Sequence, residues 1–162
     1  MKDVELNDLY VKRLDSTVRH IQNVQKHAIL LADRLIEDGK HELARQLVVN
    51  SLQHDLSKLQ GIEWDYLLSE DKDKLKIAID QHVRTNMHHP EHWGGIENMS
   101  DIYIAEMVVD WFSRSGELGT DFQKWIKEEA PERFGYSTSG KIHKKVKYFA
   151  DLLLGEGFKK LQ

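Results

Sequence analysis

Apolar residues recur along this chain in steps of three and four, and no stretch shows the two-residue alternation of a half-buried strand. From Ser16 to Ile36 the apolar series is Val18, Ile21, Val24, Ala28, Leu31 and Leu35, which predicts an amphipathic helix. Asp15, Ser16 or Thr17 is suited to cap its start, and Gly39 to stop it. A second helix is predicted from His41 to Leu56, with Leu43, Leu47, Val48 and Leu52 inward; Gly61 ends the turn after it. A short helix follows from Glu63 to Leu68, then another over Asp73–Arg84 carrying Leu75, Ile77, Ala78 and Ile79. The stretch Asn86–Met99 (NMHHPEHWGGIENM) holds a proline and two glycines and reads as a structured loop. Ser100 or Asp101 then caps a strongly apolar helix, Ile102–Ser113. Thr120 caps the next, which is expected to stop before Pro131. The last helix is predicted over Lys141–Leu154, burying Ile142, Val146, Phe149 and Leu153. The fold class is all-α, a single bundle of about six helices.

Composition narrows this picture. The chain has 162 residues, enough for one domain with a real core. It shows no repeat, low-complexity tract or linker, so residues 1–162 read as one domain. Hydrophobic residues make up 40% and charged residues 31%, a balance that argues against a disordered chain. The longest apolar stretches, such as Ala28–Ala32, fall far short of the ~20 residues that cross a bilayer, so no membrane partner is expected. The opening MKDVELNDLY is polar and acidic, unlike a signal peptide. There is no cysteine, which excludes disulfides, thiolate zinc sites and cysteine nucleophiles and suits a reducing, cytoplasmic location. A net charge of −4 disfavours duplex nucleic acid as a partner. A small anionic substrate remains compatible if a metal brings its own positive charge. A homodimer is also compatible.

The chain holds nine histidines against two prolines, and His82, His88, His89 and His92 lie close together. Histidine is the commonest neutral metal ligand. Three further positions draw the eye. His20 is in register with Val24, Ala28 and Ala32 on the first helix. His54 and Asp55 end the second helix, where adjacent side chains point about 100° apart and so can grip one ion from two directions or let the carboxylate bridge two. Asp110 sits among Val108, Val109, Trp111 and Phe112, and a buried carboxylate needs a cation or several hydrogen bonds.

The order His20, His54-Asp55, Asp110 resembles the HD-domain superfamily of metal-dependent phosphohydrolases, and the extra histidines resemble its two-metal branch. The run His54-Asp55-Leu56-Ser57-Lys58 is similar to the His-Asp-x-Gly-Lys of the cyclic-dinucleotide phosphodiesterases, with Ser57 in place of glycine. His88-His89-Pro90-Glu91 is similar to that branch's His-His-Glu loop, although the Gly-Tyr-Pro signature is absent. As a whole, HHPEHW followed by EMVVDW most resembles a family of small HD-like proteins common in phage and bacterial genomes. The resemblance covers roughly Ser16–Ser113, and the metal-site core is expected there.

The resemblance implies an HD-like bundle with a first metal on His20, His54, Asp55 and Asp110. Asp55 then bridges to a second metal held by His82 and one or both of His88 and His89. Imidazole and carboxylate suit a divalent transition metal (Mn, Fe, Zn, Ni or Co) in one or two copies. Lys58 and Arg84 are expected to meet a substrate phosphate, and Glu106, one turn before Asp110, to orient a ligand or take part in catalysis. The expected activity is hydrolysis of a nucleotide or related phosphate ester. The competing expectations are an HD-type di-iron oxygenase and a non-catalytic binding module with the same bundle.

Plainer readings stand beside these. His27, on the face of His20, reads equally as a core histidine; His41 and His143 read as solvated, and one histidine of HHPEH as loop scaffolding. Glu63 and Glu91 are candidates for proton transfer, but read as ordinary exposed glutamates. Trp93 and Trp111 read as core. Gly135–Lys141 (GYSTSGK) fits the start of a phosphate-binding loop. Ile142 replaces the required Ser or Thr and no strand precedes it, so it reads as a turn and N-cap. Lys141, Lys144, Lys145 and Lys147 read as a solvated helix face.

Overall fold

A computed structural model describes residues 2–67 and 69–155, with side chains from residue 8 onward; Leu68, the expected end of the short helix, lies outside the described residues. Among the described residues every regular element is helical, and the all-α expectation holds. Helix α1 runs Lys2–Glu37, α2 His41–Ser51, α3 Gly61–Tyr66 and α4 Lys72–Thr85. Helix α5 runs Asp101–Leu118, α6 Phe122–Lys124, α7 Ala130–Phe134 and α8 Lys141–Leu154.

Several boundaries differ from those expected. Asp15, Ser16 and Thr17 do not cap α1, because the helix runs through them. Its first half leaves Leu9, Val11 and Leu14 exposed, so no apolar stripe marks it in the sequence. Surface pairs Asp8–Lys12 and Asp15–Arg19, each four residues apart, support it instead. Helix α2 stops at Ser51, not Leu56, and Leu52 is 58% exposed rather than inward. Residues 52–55 turn, and a 3₁₀ helix follows over Leu56–Leu59. In α4 only Ala78 and His82 are buried; Ile77 and Ile79 face out, and Asp71 caps the helix by accepting from the Asp73 and Lys74 amides. Asp121, not Thr120, caps α6. The chain then continues past Pro131 through a π-helical turn, Trp125–Glu129. That wider turn makes room for a proline ring and needs no N–H from it.

Helix α5 is the centre of the bundle and packs on α1, α2 and α8. Leu31 and Leu35 of α1, Leu47 of α2, Ile104 and Val108 of α5 and Val146 of α8 are fully buried together. The 86–99 loop folds as two 3₁₀ turns, Pro90–Trp93 and Ile96–Asn98, and drives Ile96 and Met99 into this core. Helix α8 has the predicted bounds, with Val146, Phe149 and Leu153 buried and Ile142 half-buried. The GYSTSGK stretch is the turn before it, with Gly140 in the N-cap position.

Helix α3 has little core of its own and is tied to the bundle by Arg13. Its guanidinium donates to the carbonyls of Trp64 (2.5 Å) and Glu63 (2.7 Å) and lies 4.8 Å from the centre of the Trp64 ring. Hydrogen bonds from a charged donor contribute about 1.5–3 kcal/mol. Arg13→Ala is therefore expected to destabilise the fold by about 2 kcal/mol in urea unfolding. Hydrogen exchange should rise first over residues 61–66; unchanged exchange there would reject the clamp.

Candidate metal centre

Four segments far apart in sequence meet on one side of the core: α1 at His20, the turn at His54–Asp55, the stretch from His82 to His89, and α5 at Asp110. Asp55 is the meeting point. It is the one non-glycine among the described residues with a left-handed backbone, φ 57° and ψ 11°. That conformation costs an L-residue roughly 1–2 kcal/mol, and aspartate tolerates it better than most. The expectation that His54 and Asp55 end a helix is thus corrected: they leave it, and the sharp turn re-aims the carboxylate. Asp55 occupies the N-cap position of the next 3₁₀ helix, yet its side chain caps nothing. It is buried and faces imidazoles instead.

The two carboxylate oxygens face different groups. Oδ2 lies 3.4 Å from His20 Nε2 and 3.6 Å from His54 Nε2. Oδ1 lies 3.3 Å from His82 Nε2 and 3.5 Å from His88 Nε2. Asp110 Oδ1 is 3.1 Å from His20 Nε2 and 3.8 Å from His54 Nε2, and its side chain is 16% exposed. His89 Nε2 sits 3.0 Å from His82 Nε2. Among the described residues three overlapping groups of ligand-type atoms are compact enough to hold a metal ion: His20/His54/Asp110 and Asp55/His82/His88/His89 around the Asp55 carboxylate, and His54/His88/Glu106 behind the rings.

The chemistry of the unmet atoms fits a cation. His20 Nε2, His54 Nε2, His88 Nε2 and Asp55 Oδ1 are all buried without a hydrogen-bond partner, the approaches above being too long or too poorly aligned to count as bonds. Buried polar atoms of that kind are costly, and here they converge on one place. Lys58 Nζ, 2.5 Å from Asp55 Oδ2, supplies the nearest counter-charge.

On their far sides the rings are held by carboxylates. His20 Nδ1 lies 3.0 Å from Glu117, His54 Nδ1 3.1 Å from Glu106, and His82 Nδ1 2.8 Å from Glu63. A proton kept on Nδ1 by such a partner leaves the Nε2 lone pair free for a metal. Glu106 therefore touches His54, and His88 at 3.5 Å, rather than the open cleft. Glu63 is buried and paired, not an exposed glutamate. Glu117 lies beyond Ser113, where the HD resemblance ends, so no motif marks it in the sequence. Its signal is position: it lies seven residues after Asp110 on one face of α5, and it also accepts from Asn23 and Arg114.

Other candidates lie elsewhere. Arg84 is corrected: its side chain is 69% exposed, pairs with Asp80, and does not line the cleft. His27 meets the Ser113 hydroxyl at 2.7 Å, and His92 Nδ1 meets the Arg84 carbonyl at 2.6 Å, a loop contact. His41 is exposed, but His143 is half-buried against Tyr136 rather than solvated. Trp93 donates to the Met87 carbonyl and packs on Tyr103. Trp111 packs against the core and also lines a cleft of about 680 Å³. That cleft has Lys58, His82, His89 and Asp110 at one end, and Glu91 lines it too.

Protonation follows from this crowding. Burial lowers the His20 and His54 pKa values, but attraction to Asp55 and Asp110 outweighs it and raises them to about 9 and about 10. Burial would raise the carboxyls of Asp55 and Asp110, yet the neighbouring histidines hold both well below the usual range; Glu106 lies at about 2 for the same reason. His89 is pushed down to about 3 by burial and by His88 and His82.

The signs give a pH prediction for metal-free protein. His20 and His54 bind protons more tightly folded than unfolded, so their stabilisation is complete below the ordinary value of about 6.5. It is lost as pH rises through about 9 to 10. His89 acts oppositely, costing stability as pH falls from about 6.5 towards about 3. The melting temperature of chelator-treated protein should thus peak near about pH 6.5 and fall towards alkaline pH. Added metal binds neutral imidazole, so its stabilising shift should grow over that alkaline interval. A flat metal-free profile there would reject the arrangement.

No described helix is long and apolar enough to cross a membrane. Comparison with curated proteins and with solved structures gives no match. A family model described as a family of unknown function, DUF5662, matches residues 10–152, a span that takes in every residue of the centre from His20 to Glu117. The chain belongs to the DUF5662 family.

Proposed function

We propose that this protein is an HD-type, metal-dependent phosphohydrolase that cleaves a small anionic phosphate ester. The observation that carries the reading is the divided carboxylate of Asp55, one oxygen towards His20 and His54 and the other towards His82 and His88. That arrangement suits two ions sharing a bridge. The mixed imidazole and carboxylate set favours Mn, Fe, Zn, Ni or Co over Mg or Ca. Bound there, such a metal supplies a Lewis acid and, by lowering the pKa of water towards ~7, a hydroxide nucleophile at neutral pH.

The remaining work falls to the chain. His89, with its pKa near 3, is neutral at ordinary pH and ready to ligate. Glu63, Glu106 and Glu117 fix the ring orientations from behind. Lys58 and Arg114 line the cleft beside the centre, where they attract phosphate oxygens and balance the charge that develops as the ester bond breaks. A metal at Asp55 would relieve Lys58 of neutralising that carboxylate and free its charge for the substrate. The lack of cysteine suits work in the reducing cytoplasm.

The test is metal analysis of protein purified without chelator, followed by a phosphate-release screen over phosphate esters. Asp55→Ala should lose both metal and phosphate release. Lys58→Ala should keep its metal but lose about one to two orders of magnitude in kcat/KM, the value of a charge-assisted hydrogen bond. Wild-type turnover by K58A, measured below KM, would reject the phosphate contact. Oxygen uptake by iron-loaded protein without phosphate release would replace the hydrolase reading with the di-iron oxygenase.

A further inference from the structure

The cleft is longer than a phosphate needs. It follows α5 from Asp110 to Leu118, roughly 12 Å at 1.5 Å per residue, and its far wall comes from residues 120–134. This segment lies beyond the part of the chain that resembles HD domains. It brings two aromatic rings, Trp125 and Phe134, to the cleft, where they meet Trp111 of α5. Trp111 and Trp125 meet almost at right angles, with centroids 5.6 Å apart and planes at 78°. Phe134 runs nearly parallel to Trp111, at 5.5 Å and 14°. The result is a corner with flat walls that starts one residue after the metal-site carboxylate of Asp110.

The corner also carries polar groups, although Asp121 caps α6 and Glu129 lies 3.5 Å from Lys124 Nζ. Thr120, Asp121 and Glu129 line the cleft beside the rings. The Arg133 guanidinium lies 5.9 Å from the Trp125 centroid and 5.3 Å from that of Phe134, and no described carboxylate pairs with it. The π-helical turn spans Trp125–Glu129, so an irregular backbone presents both of these lining residues; such turns are frequent at functional sites.

We infer that this corner is a subsite for a planar heteroaromatic ring of the nucleobase type, carried by the ester whose phosphate lies at the metal centre. The inference rests on the phosphohydrolase reading for the phosphate end only. The ring stacks in the corner of Trp111 and Trp125. Its edge meets the polar groups of Thr120, Asp121 and Glu129. Arg133 contributes a cationic face beside the stack.

Binding measured by tryptophan fluorescence and calorimetry on the metal-loaded protein tests this, with adenosine 5′-monophosphate and ribose 5-phosphate as probes. Stacking on an aromatic side chain strengthens binding by about tenfold to hundredfold. The ring-bearing probe should therefore bind tighter by about that factor. Trp125→Ala should erase the difference while leaving ribose 5-phosphate binding and metal content unchanged; Arg133→Ala should narrow it. Trp125→Phe keeps a flat wall and should retain most of the preference, which guards against a merely misfolded alanine variant. Equal affinity for the two probes, or a preference that survives W125A, overturns the subsite. No binding of either probe also overturns it. If the preference is present and W125A-sensitive but no ester releases phosphate, the subsite stands and the phosphohydrolase reading falls.

Discussion

The structure is organised around one buried carboxylate that cannot be left alone. Asp55 has almost no contact with solvent, sits on a left-handed backbone, and has imidazole nitrogens facing both its oxygens. Taking a carboxylate out of water costs several kcal/mol unless positive charge answers it. Lys58 and the raised pKa values of His20 and His54 are the chain's own answer. Around that turn, Arg13 fixes the Glu63 and Trp64 carbonyls of α3, Glu63 sits behind His82, and α5 brings Asp110 to His20 and His54.

The helices divide the labour. α1 and α5 are rigid, core-packed rods, and each donates to the centre at one point, His20 and Asp110. The short segments between them, residues 52–59 and 86–89, supply the residues whose direction must be set by the backbone. Carboxylates behind the rings complete the arrangement, so that orientation comes from hydrogen bonds rather than from loop stiffness. This is why the centre includes Glu63 and Glu117, which offer nothing to an ion directly.

Much of the fold was legible because amphipathic periodicity is a local signal. The α8 bounds and the burial of Val146, Phe149 and Leu153 follow from it. It fails where packing is absent or backbone geometry decides. The exposed first half of α1 has no stripe to read, and the capping residues at 15–17 misled. The turn at His54–Asp55 depends on a tertiary setting that stabilises an unfavourable φ. The HD resemblance implies the grouping of His20, His54, Asp55, His82, His88, His89 and Asp110, and these residues do lie together. The expectation for Arg84 fails for a geometric reason: His82 faces inward, but two residues further round a helix lies about 200° away, on the solvent side. Glu117, Trp125 and Phe134 lie beyond Ser113, where no motif guides the eye; only Trp111, next to Asp110, belongs to the motif-bearing part.

The spacing of the centre has a mechanical meaning for a chain with no cysteine. His20, His54, His82 and Asp110 are each separated from the next by tens of residues, and two ions joined through Asp55 would staple three large loops of backbone at one place. Closing such loops removes disorder from the unfolded chain, as disulfides do, and the benefit grows only slowly with loop length. Unlike a disulfide, such a staple would open to a chelator or to acid without any redox chemistry.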